Sequence, residues 1–156
     1  MVTVTTPGRY LMDNSEKLAK LLEKALRPIV DVLGISIEDI ESLEIDPYGP
    51  RIVLEAKPSK HGARSLFLDA SPDGVETVVT LEAPRGLDKN ELEGTLAELI
   101  EESPETQSVE EYDVSYDPEE GEVTITLHAR LLAELPSIKE VHKLLEETLQ
   151  QLRGEP

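Results

Sequence analysis

The chain has 156 residues, with 33 Asp plus Glu against 15 Lys plus Arg, and a formal net charge of −18. It holds no Cys, no Trp, one Phe and three His. The lack of cysteine excludes disulfide frameworks, zinc–thiolate centres and thiol nucleophiles. The charge argues against nucleic acid and anionic membranes as partners, because both need clustered Lys and Arg.

A chain of this length reads as one domain over 13–153, with 1–12 an arm or short strand and 154–156 a tail. No apolar stretch approaches the roughly 20 residues that span a bilayer. Residues 1–6 lack the basic and apolar regions of a secretory signal, so a cytoplasmic location is expected. The acidity is mostly glutamate: 24 Glu against nine Asp, with Asn only at 14 and 90 and Gln only at 107, 150 and 151. That usage resembles thermophile composition, and an idealised engineered sequence shares it.

Val2 to Thr6 alternates, as a short strand or a loose arm would. A first helix is expected from near Asp13, whose spacing to Glu16 suits a capping box. Leu18, Leu21, Leu22, Ala25, Leu26 and Ile29 form its apolar stripe. Pro28 lies inside that pattern and should kink or restart the helix before a stop at Gly34. Ser36 and Asp39 then offer a second N-cap and a short helical turn.

From Ser42 the period changes to two. Around the Asp46–Pro50 turn, Leu43 should face Leu54, Ile45 should face Ile52, and Asp46 should pair with Arg51. A connection over 57–62 leads to a second hairpin, 64–70 and 75–83, around Ser71-Pro72-Asp73-Gly74. This tetrad signals a type I turn with a glycine bulge. A second helix is capped by Asp88 and lined by Leu92, Leu96, Leu99 and Ile100. In the third hairpin Tyr112, Val114 and Tyr116 alternate before the Asp117–Gly121 turn. Val123, Ile125, Leu127, Ala129 and Leu131 alternate after it, as in a strand with one wet face. Its turn echoes that of the first hairpin, through shared hairpin grammar. The last helix opens at Ser137, with Glu140 closing a capping box, and carries Ile138, Val141, Leu144, Leu145, Leu149 and Leu152. The fold class is therefore α+β: three hairpins in a six-stranded antiparallel sheet with three helices, in the order α-ββββ-α-ββ-α.

Motifs for chemistry are absent. His61, His128 and His142 have no metal-like neighbours, no glycine-rich phosphate loop occurs, and the acidic turn at 117–122 lacks calcium-loop spacing. His128, on the wet face near Arg130, reads as a surface strand residue. No catalytic residue, metal or cofactor is assigned. The anomaly is apolar excess in the second hairpin. Leu66, Phe67 and Leu68 are consecutive, and so are Val78 and Val79, so they point to both faces of the sheet. A four-residue loop pairs Phe67 with Val78, and a three-residue loop pairs it with Val79. These five residues form either a central pair covered on both sides by the chain's own helices or a patch for self-association or partner binding.

Leu18–Leu33 followed by Gly34-Ile35, and Val123–Leu132 followed by Leu135-Pro136 and the helix from Ser137, resemble the first helix and terminal strand–helix unit of the type III secretion chaperone-like proteins and related sensory-transduction regulators. The resemblance spans roughly residues 15–152 in element order and acidity. Pro28 and the long 57–63 connection depart from it. It implies a non-enzymatic, dimeric, protein-binding module, with a homodimer or another protein as partner. A hot-dog-like enzyme or ligand binder is one alternative. An acidic nucleic-acid mimic is another, and an orphan or engineered thermostable domain without an evolved ligand is a third.

Overall fold

A computed structural model of the chain describes residues 3–5, 15–46 and 48–154, with side chains from Lys24 onward. Six antiparallel strands are present as expected: β2 (Ile40–Asp46), β3 (Arg51–Ala56), β4 (Ala63–Ser71), β5 (Gly74–Glu82), β6 (Glu111–Asp117) and β7 (Glu122–Ala129). Thr3–Thr5 adds β1, a parallel edge strand with Val4 beside Leu43. Val2 and Thr6, the ends of that expected strand, lie outside the described residues, as do the N-cap at Asp13 and the end of the tail. The order across the sheet is β1-β2-β3-β4-β5-β7-β6, which puts β4 at its centre.

The first hairpin has the expected register, with Leu43 opposite Leu54, Ile45 opposite Ile52 and Asp46 opposite Arg51. The expected ion pair is redirected. Asp46 Oδ1 accepts from the backbone N–H groups of Tyr48 and Gly49 at 2.9 and 3.2 Å, leaving Arg51 to Asp69 on the next strand. Asp117 Oδ1 closes the third turn the same way, accepting from the N–H groups of Glu119 and Glu120. A short side chain that satisfies its own turn is the physical basis of the echo between the two hairpins.

In the second hairpin Phe67 faces Val78, and pairing continues to Ser71 opposite Gly74. The irregularity is not a glycine bulge at Gly74. It lies at the far end, between Ala63 and Ser65. Strand β7 ends at Ala129, so Leu131, expected on the inward face, is instead 61% exposed.

Helix α1 (Ser15–Leu33) continues through Pro28 without a break. Lys24, whose carbonyl loses its helical donor there, and Pro28 are both exposed, so water can replace the missing bond. Asp88 caps α2 (Lys89–Glu102) by accepting from Glu91 N–H at 2.9 Å. Ser137 and Glu140 cap α3 (Ile138–Leu152) reciprocally, at 3.3 and 3.0 Å. No helix among the described residues is long and apolar enough to cross a membrane.

One cluster forms the core. Leu26, Ile29 and Leu33 of α1, Leu92, Leu96 and Ile100 of α2, and Val141, Leu144 and Leu145 of α3 meet the inward residues of β2–β7. Tyr116 fixes the entry to α2: its hydroxyl donates to Pro84 C=O and accepts from Leu87 N–H. The architecture is two-layered, with helices on one side of the sheet.

Candidate binding face of the sheet

The outward side chains of β2–β7 form ordered rows. One row across the strands reads Glu44, Val53, Asp69, Glu76, His128 and Glu111. The next reads Ser42, Glu55, Phe67, Val78, Thr126 and Asp113. Beyond it Thr80 faces Thr124, their hydroxyls 3.4 Å apart, and a final row holds Glu82, Glu122 and Asp117. Val53, Phe67 and Val78 are half-buried and belong neither to the core nor to the residues packed against it.

The five residues singled out from the sequence therefore divide. Leu66, Leu68 and Val79 are at most 2% exposed and sit beneath the helices. Phe67 and Val78 stand opposite each other on the outward face. The sequence pattern did not single out Val53. It is diagonal to Phe67, and its only signal was an apolar residue at an outward position of β3.

Two arginines serve this face. Arg51 donates to Asp69 through Nε at 2.9 Å and Nη2 at 2.7 Å. These hydrogen bonds are the largest cause holding the Asp69 carboxyl below the ordinary aspartate range, while partial burial opposes them. Arg64 donates to Glu122 and lies 3.6 Å from Glu82, and the hydrogen bond to Glu122 is the main reason its guanidinium is held above its ordinary value. Glu44, Glu55, Glu76 and Asp113 have no ion-pair partner among the described residues.

His128 keeps its expected place on the outward face. Its Nδ1 is buried without a hydrogen-bond partner, 3.8 Å from Glu110 Oε2. Gly74 allows the ring to lie against the turn, since a Cβ there would stand 2.8 Å from His128 Nε2. An open cleft of about 420 Å³ runs past Arg51, Asp69, Ser71, Asp73, Glu76 and His128. Ser71 Oγ accepts from Asp73 N–H at 3.3 Å and donates to Gly74 C=O at 3.5 Å, so its hydroxyl is engaged within its own turn. A smaller open cleft of about 260 Å³ lies where the end of α2 meets α3, beside Leu99, Ser103, Glu105, Glu140, Lys143 and Glu147.

His61 and His142 are far apart in the sequence, but the fold brings their ring centroids to 6.5 Å. His142 Nδ1 also lies 3.5 Å from Glu146 Oε1. Among the described residues, no group of three His, Cys, Asp or Glu side chains is placed to hold a metal ion. Compared with known proteins, the chain matches no family model, no curated protein and no solved structure.

Proposed function

We propose that the chain is a non-enzymatic protein-binding module that docks its partner on the outward face of the sheet. One observation carries this reading: Val53, Phe67 and Val78 stand together at the centre of the sheet's outward face and, among the described residues, belong to no core cluster. An apolar group at the middle of a wide polar face adds only cross-strand contact to the fold, and its burial by a partner is favourable.

The resemblance to chaperone-like proteins implies a homodimer. On this face a second copy is disfavoured, because its carboxylate rows would meet like charge. Edge pairing through β6 is disfavoured too, because Glu111, Asp113 and Asp117 line that strand.

A random peptide display library selected on the wild type and on Phe67→Ser/Val78→Ser tests the reading. Enrichment on the wild type that disappears on the double variant supports it. No enrichment, or equal enrichment on both, overturns it.

A further inference from the structure

We infer that the occupant of this face is a basic amphipathic helix, with an apolar stripe at its centre and Lys or Arg along both flanks. The inference rests on the proposed docking face and names what that face selects.

Position decides the form of the occupant. Val53, Phe67 and Val78 lie on β3, β4 and β5, the middle strands. Strand addition requires a free edge, and the nearer edge on one side is beyond β2 and on the other beyond β7. An occupant at the centre must therefore satisfy its own backbone hydrogen bonds while lying on side chains, as a helix does. The scale agrees. Two inter-strand spacings of about 4.8 Å and one two-residue step along the strands put the outer members of the apolar group, Val53 and Val78, roughly 12 Å apart. A helix with its side chains is about 10–12 Å across.

Charge decides the chemistry of its flanks. Asp69 and Glu76 stand at one end of the apolar group, Glu55 and Asp113 lie to its two sides, and Glu82 and Glu122 close the other end. Thr126, Thr80 and Thr124 extend the centre, with the Thr80 and Thr124 hydroxyls 3.4 Å apart. Arg51 and Arg64 neutralise part of this charge, while Glu55, Glu76 and Asp113 have no ion-pair partner among the described residues. A neutral helix leaves those carboxylates desolvated and unpaired, and an acidic one is repelled. A helix with basic flanks pairs with them while its stripe covers Phe67.

The test uses the full-length chain and three synthetic 18-residue peptides. One is a helix with a Leu stripe and Lys flanks, one is the same helix with Glu flanks, and one has the Lys composition scrambled so that no stripe forms. Binding is measured by calorimetry at low and high salt, and the site is mapped by amide chemical shifts.

The Lys-flanked helix should bind with shifts centred on residues 53, 67 and 78. It should weaken roughly tenfold or more on Phe67→Ser, the cost of one lost aromatic burial. It should also weaken on Glu76→Gln/Asp113→Asn and as salt is raised. Equal binding of the scrambled peptide would mean bulk charge attraction alone and overturns the inference. So does preference for the Glu-flanked helix, or displacement of all three peptides by a second copy of the chain. If the display library selects face-dependent peptides that are neither basic nor helical, this inference fails while the docking face stands. If it selects none, both fail.

Discussion

Leu68 and Phe67 are neighbours in the chain with opposite fates, and truncating each tests the two-layer reasoning directly. Leu68 is 0% exposed, on the core side of the central strand. Leu68→Ala removes buried carbons and leaves a cavity, so it should cost about 2–5 kcal/mol. For a domain of this size each kcal/mol lowers Tm by about 2–4 °C, so the drop should be about 4–20 °C. Phe67 is partly buried among outward side chains, and among the described residues it does not belong to the core beneath the helices. Phe67→Ala opens no cavity. Only the covered part of the ring counts, about 1–2 kcal/mol, with up to about 1 kcal/mol more for lost strand preference. Equilibrium urea denaturation at matched m-values gives both numbers. A Phe67→Ala cost equal to that of Leu68→Ala would refute the reasoning, because it would mean that the outward face is covered. If that cost also varied with protein concentration, the cover would be a second copy of the chain.

Three further outcomes are expected. Tyr116→Phe removes two part-buried hydrogen bonds, to Pro84 C=O and from Leu87 N–H, and should cost about 1 kcal/mol by urea denaturation. Tyr112→Phe, which loses only the bond to exposed Glu101, should cost clearly less. Gly121→Ala should destabilise by more than the roughly 1–2 kcal/mol of a left-handed backbone, since φ is 68° and a Cβ would stand 2.8 Å from Ala83 O; a loss of thermal stability within error of zero would contradict this. Arg51→Ala should return the Asp69 carboxyl to the ordinary aspartate range, as read by NMR titration of its side-chain carbon. Because the folded value is held below the unfolded one, the pair stabilises above the unfolded aspartate range. That contribution is lost as pH falls through the lowered folded value. The stability gap between wild type and variant should therefore narrow on acidification, and a constant gap would count against the assignment.

Much of the local structure was legible because it is governed by neighbours in the chain. Ser137 and Glu140 cap α3 because their three-residue spacing matches the first helical turn, whatever packs above it. Leu43 and Ile45 face Leu54 and Ile52 because alternation and a short turn admit one register with the apolar side inward. Three features were not legible. Pro28 does not break α1, because it lies on the exposed side with Lys24, whose freed carbonyl water can satisfy. Arg51 leaves its opposite residue Asp46 for Asp69, because Asp46 is already held by its turn. The choice between Val78 and Val79 opposite Phe67 rested on a turn compatible with both. Pairing of β4 with β3 and of β5 with β7 settles it.

The same division holds for the candidate site. Sequence alone determined that the second hairpin carries apolar residues on both faces, because Leu66-Phe67-Leu68 cannot all point one way in a strand. It also determined that the surroundings are acidic. Only the tertiary structure decided which of those residues the helices bury, that Val53 joins Phe67 and Val78 from another hairpin, and that carboxylates from several strands surround them. Local periodicity specifies two faces, but it does not say which one three helices will choose. That choice depends on burial summed over the whole sheet.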